Sequence, residues 1–114
     1  MTHSRDKGCR GEREVAELLR VRGWPARRGQ QHSGSPDSPD VAGGPPGWHI
    51  EVKRVEALRL YPSLAQAIRD AGADQTPVVL HRPNGREWVA ILRLDDWLDL
   101  VGDPPPAGPP SWLD

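Results

Sequence analysis

Apolar residues along this chain recur first with a helical period and then with a strand period, in short stretches divided by Gly/Pro-rich turns. Over 8–22, Val15, Leu18, Leu19 and Arg22 share one side of a helix, which Gly23 and then Pro25 end. WPARRGQ predicts a short strand, and the polar QHSGSPDSPD reads as loop. PDVAGG allows a brief strand, GGPPG a tight reversal, and WHIEVKRV a strand with Trp48, Ile50 and Val52 on one face. Ser63 follows Pro62 as the expected N-cap of a second helix, whose stripe of Leu64, Ala67, Ile68 and Ala71 ends near Gly72. TPVVLHR and EWVAILR predict two strands about a Pro-Asn-Gly hairpin turn, and LDDWLDLV a closing helix with Asp95 or Asp96 near its start. The order, α-β-β-β-α-β-β-α, predicts one α/β (α+β) domain over 1–102, a central mixed β-sheet flanked by helices. From Asp103, DPPPAGPPS predicts a polyproline or disordered tail over 103–114.

Composition narrows this picture. The chain has 114 residues, enough for one core, and 36% are hydrophobic with no Phe, five Trp and one Tyr. Leu, Val, Ile, Ala and Trp must therefore fill the interior. Cys9 is the single cysteine, which excludes an intrachain disulfide and a cysteine-based zinc site. Charged residues scattered from Arg5 to Glu17 make no signal-peptide pattern, and the apolar runs are too short for a bilayer. The expectation is a soluble cytoplasmic protein.

The net charge of −1 conceals an asymmetry. Residues 1–31 carry eight Lys/Arg against four acids, whereas 95–114 carry five acids and no base. On charge alone a basic front of this kind reads as a solvated helix face ahead of a phosphate-binding surface, which a neutral total can also hide.

The chemistry concentrates in SPDVAGGPPGWHIEVKR. Alternate side chains of a strand share a face, so Glu51 and Lys53 project together while Ile50 and Val52 point into the core. The GGPPG turn can fold Asp40 back beside Glu51, giving two carboxylates and backbone carbonyls, a hard oxygen set suited to Mg²⁺ or Mn²⁺. A lysine there can hold an attacking water or stabilise a negatively charged transition state. The chain uses 13 arginines and two lysines, yet places lysine at 53 and arginine at 54. A compact ammonium and a planar fork are not interchangeable. Glu12 continues the apolar stripe of the first helix and leans toward the sheet, with Glu14 and Glu17 better placed for water. Its position serves equally a charge that complements the helix N-terminus.

Glu12, Pro39-Asp40 and Glu51-Val52-Lys53 together resemble the PD-(D/E)XK nuclease motif, in the form found in archaeal-type Holliday junction resolvases and their phage relatives. KGCRGEREVAELL resembles their opening helix, SGSPDSPDVAG their loop and acidic turn, and HIEVKR their catalytic strand, over about 7–100. The resemblance implies a restriction-endonuclease-like core. It implies metal binding by Asp40, Glu51 and the Val52 backbone carbonyl, with Mg²⁺ as cofactor and Mn²⁺ substituting. Glu12 would act through the metal or its waters, and Lys53 would be catalytic. The family's loop serine falls on Ser33 or Ser35. Gln66 stands where relatives often carry a glutamine, although its place off the Leu64 stripe fits solvent exposure equally well. The loop offers two Pro-Asp pairs, and Asp40 is preferred because Val41-Ala42 can carry a strand after it. His32 and His49 read as loop and surface residues.

The implied activity is divalent-metal-dependent, structure-selective DNA endonuclease action on four-way junctions, in the cytoplasm of a bacterial, archaeal or phage-infected cell. The alternatives are a PD-(D/E)XK nuclease acting on other DNA structures and a non-catalytic nucleic-acid-binding module. Candidate DNA contacts are Lys7, Arg10, Arg13, Arg27, Arg28, Ser33, Ser35, Arg54 and Gln66. Two cuts on opposed strands from one active site per chain imply a two-fold homodimer. Trp88, Val89, Ile91, Trp97 and Leu100 offer it an apolar surface, although core filling in a chain without Phe accounts better for any one Trp.

Overall fold

The computed structural model describes residues 2–29, 39–110 and 112, with side chains from Lys7 onward. The elements are α1 (Thr2–Val21), β1 (Arg27–Arg28), β2 (Val41–Ala42), β3 (Trp48–Lys53), α2 (Leu60–Asp70), β4 (Thr76–His81), β5 (Val89–Ile91) and α3 (Leu94–Val101). Type and order follow the hydrophobic pattern throughout. The five strands form one sheet in chain order. All neighbours are antiparallel except β3 and β4, which run parallel because α2 carries the chain back between them.

The strand period sorts the core between the two faces of this sheet. Ile50, Val52 and Val78 pack with Val15 and Ala16 of α1, joined by Ala26 and Val41. Val79 points the other way and packs with Leu64 and Ala67 of α2. The odd-numbered residues of β3, His49, Glu51 and Lys53, therefore share the α2 side.

α1 lies unusually close to the end of β3. A Cβ at buried Gly11 would come within 2.6 Å of the Arg54 Cβ, so only glycine permits this approach, which sets Glu12 over the sheet. The connection beyond is braced by side chains. Arg54 reaches the Arg82 carbonyl at 3.1 Å and Asn84 Oδ1 at 2.7 Å, and Glu14 accepts from Arg82 and, at 2.6 Å, from Trp88 Nε1. Glu14 is thus half-buried and bonded, where the sequence pattern set it in water.

Several boundaries differ from expectation. α2 starts at Leu60 with Arg59 as N-cap and no side-chain cap, so Ser63 lies inside the helix, buried, its N–H on the Arg59 carbonyl. Pro62 is tolerated because its missing N–H falls among the first-turn donors that have no helical partner. α1 extends back to Thr2, and β5 shrinks to three residues after a longer connection than a tight hairpin. Trp88 and Ile91 pack against the core clusters, which removes them from the expected apolar surface. Val89, Trp97 and Leu100 remain exposed, and α3 buries no residue at all. Residues 103–110 are exposed and form neither helix nor strand. Among the described residues no helix is long and apolar enough to cross a membrane.

Candidate active site

Asp40 is pinned before its side chain is considered. Its N–H donates to the Ile50 carbonyl at 3.0 Å, and its carbonyl accepts from Gly29 N at 2.8 Å. A Cβ at Gly29 would stand 1.9 Å from the Pro39 carbonyl oxygen, so glycine is required for that contact. The Asp40 carboxylate then accepts from Val52 N at 2.7 Å, on the edge of β3 that short β2 leaves open. A strand residue sends its N–H and C=O to the same side, and the next residue sends them to the other. Lys53 O accepts from Arg82 on the β4 side at 3.3 Å, so the Val52 carbonyl points toward Asp40.

Asp40 and Glu51 are both buried, and the protonated Asp40 carboxyl donates a hydrogen bond to the Glu51 carboxylate. Burial first, and then the Glu51 charge, push the Asp40 carboxyl up to about 6, against the opposing pull of the Val52 N–H and Lys53. Burial likewise raises Glu51, opposed by its bond to Asp40 and by Lys53. Lys53 Nζ donates to Gln66 Oε1 at 2.9 Å, which places Gln66 of α2 in the site rather than in solvent. Glu12, its side chain 14% exposed, accepts from Arg28 Nε at 3.0 Å. Burial raises its pKa and Arg28 opposes the shift, while the Asp40 charge adds to it.

The expected DNA contacts divide. Arg10, Arg13 and Arg27 are exposed. Arg28 is engaged by Glu12 and by Cys9 Sγ at 3.2 Å, and Lys7 pairs with Glu56 at 2.5 Å. Arg54 has a side chain only 13% exposed and braces the β4–β5 connection. Ser33, Ser35 and His32 lie outside the described residues.

Two residues escaped the sequence reading. His49 is not on the surface: it is 1% exposed, with Nε2 2.8 Å from Glu51 Oε1. Asp70 closes α2, and its carboxylate lies with His49 and Glu51 in a group whose ligand atoms fall within 4.8 Å of one another. Both were detectable. His49 stands two residues before Glu51 on a strand, and Asp70 stands four after Gln66 on a helix, so each shares a face with a residue already singled out.

A glutamate on the first helix, an aspartate before a short strand, and Glu-x-Lys on the central strand of a mixed sheet define a PD-(D/E)XK nuclease. The family described as archaeal Holliday junction resolvase (hjc) matches residues 3–94, and the chain belongs to it. It is therefore a DNA endonuclease of the junction-resolving kind. The solved structure of Archaeoglobus fulgidus Hjc, a Holliday junction resolvase from an archaeal hyperthermophile, is similar to it at a TM-score of 0.54. Identity is 26%, over 75% of this chain and 72% of that one. No curated protein sequence matches.

Proposed function

We propose that this chain cuts four-way DNA junctions as a Mg²⁺-dependent homodimer in the cytoplasm, hydrolysing phosphodiesters by direct attack of water. The observation that carries the reading is the meeting of Asp40, Glu51 and the Val52 carbonyl on one edge of β3, with Lys53 beside them. Two buried carboxylates, which repel each other once both are ionised, and a carbonyl are hard oxygen donors whose charge a divalent cation would neutralise, so the residues fit the group. Asp40, Glu51 and the Val52 carbonyl would hold Mg²⁺ or Mn²⁺, and Glu12 would complete the set through water. When bound, such an ion supplies Lewis-acid polarisation of the phosphate and makes water more acidic.

The chain's own residues supply the rest. The Lys53 ammonium, steadied by Gln66, stands where extra negative charge develops on the phosphate and can orient the attacking water. Exposed Arg10, Arg13 and Arg27 are placed to bind the DNA backbone, which fixes position without reading sequence. The α3 face, with Trp97 and Leu100 exposed, would be covered by a second copy of the chain.

The test is a labelled synthetic four-way junction and a duplex of the same arms, each incubated with purified protein with and without Mg²⁺. Mg²⁺-dependent cleavage that favours the junction is expected. Binding without cleavage would identify a non-catalytic module, and equal cleavage of the duplex would identify a nuclease with a different target.

A further inference from the structure

We propose that His49 is a positioning residue that holds the Glu51 carboxylate in its metal-binding orientation. This rests on the reading of Asp40, Glu51 and the Val52 carbonyl as the cation site. An ionised carboxylate oxygen only accepts hydrogen bonds, so the 2.8 Å contact to Glu51 Oε1 places the ring hydrogen on Nε2. The ring is 1% exposed and belongs to the same strand face as Glu51, so strand and burial together fix the donor's direction. One lone pair of Oε1 is thereby engaged, and the remaining carboxylate positions are left for a cation.

Packing alone does not account for this residue. A leucine would fill a similar space without the cost of removing two ring nitrogens from water. The surroundings explain why a donor is needed. The like charges of Asp70 and Glu12 both bear on Glu51. A glutamate side chain with several rotatable bonds would turn away from that repulsion toward Lys53. The His49 N–H opposes the turn and keeps the carboxylate beside Asp40. Hydrogen-bond partners of this kind, when removed, typically lower metal affinity by about 10–100-fold.

The experiment follows Mn²⁺ binding to the full chain through the electron paramagnetic resonance signal of the free ion. His49→Leu should weaken binding by about 10–100-fold, leave metal-free junction binding unchanged, and retain native circular dichroism. His49→Gln, whose side-chain amide can reach Glu51, should recover most of the affinity. Native affinity in a folded His49→Leu, or equal losses in the Leu and Gln variants, would overturn the inference. If the Leu variant does not fold, ring-nitrogen NMR of the native protein decides. Hydrogen on Nε2 and a shift of the ring signals at Mg²⁺ saturation are expected, and hydrogen on Nδ1 or no shift would refute it. Asp40→Asn serves as the control: Mn²⁺ affinity unchanged there sinks the cation site itself, whereas loss there with none in His49→Leu sinks only the role of His49.

Discussion

Asp40 gives the site its pH sensitivity. Its folded-state pKa, raised to about 6 from 3.8, means that the folded chain holds this proton more tightly than the unfolded chain does. Stability of the metal-free protein should therefore fall as pH rises from about 4 to about 6, by on the order of 3 kcal/mol. Above that range the cost is fully present, and a bound cation should relieve it. Thermal melts should show Mg²⁺ raising Tm at pH 8 in the native chain but not in Asp40→Asn, which should itself melt higher than the native metal-free protein. The same variant, like Glu51→Gln, should lose cleavage and keep junction binding. A Tm indifferent to Mg²⁺ would contradict the shared origin of the two effects. At the neighbouring pair, Lys53→Arg should lower cleavage by at least about two orders of magnitude, as expected for a lost transition-state donor. Arg54→Lys should keep turnover but lose one of the two bonds to Arg82 and Asn84, costing about 1 kcal/mol, or about 4–8 °C of Tm. Comparable small effects on turnover from both changes would mean that Lys53 is not catalytic.

Among the elements, β3 was the most legible, because a period-2 pattern with Ile50 and Val52 on one face dictates where Glu51 and Lys53 point. The same rule placed His49 on their face, but polarity alone does not distinguish a buried histidine from a solvated one. That distinction depends on α2 covering the strand, which no local pattern encodes. The start of α2 was misread for a related reason: a proline after a turn suggests a helix boundary, yet the first turn tolerates it. Nor does the sequence disclose that Arg54 faces inward, since its partners lie 28 and 30 residues away. Gly11 shows how far the site depends on how the elements pack. Alanine there would gain about 1 kcal/mol of helix propensity. Its Cβ would meet the Arg54 Cβ at 2.6 Å, and overpacking of this kind costs about 1–3 kcal/mol. Gly11→Ala should lower Tm and, by lifting Glu12 away from Asp40, reduce cleavage more than it reduces junction binding. An unchanged Tm with native turnover would show that α1 can shift freely without disturbing the site.

In the molecule as a whole, the surface is divided by charge and by polarity. Arg10, Arg13, Arg20 and Arg27 are exposed on α1 and β1, whereas α3 carries three aspartates among exposed apolar residues. Leu94, Trp97, Leu98, Leu100 and Val101 are each between 47% and 67% exposed on a helix with no buried residue. A helix this apolar that buries none of its residues gains little from folding alone, and covering it with the same helix of a second chain would remove exposed apolar surface from water. Such a pairing also supplies two active sites, as two cuts in one junction require. The native chain should therefore sediment as a dimer at micromolar concentration, and Trp97→Asp should shift it toward monomer. Loss of the pair should convert paired cuts into single nicks, with Asp40, Glu51 and Lys53 untouched. Junction binding should also weaken steeply with salt, and less steeply in the monomeric variant, which contacts fewer phosphates. A native monomer that still makes paired cuts on one junction would refute the dimer, and the exposed face of α3 would then require another explanation.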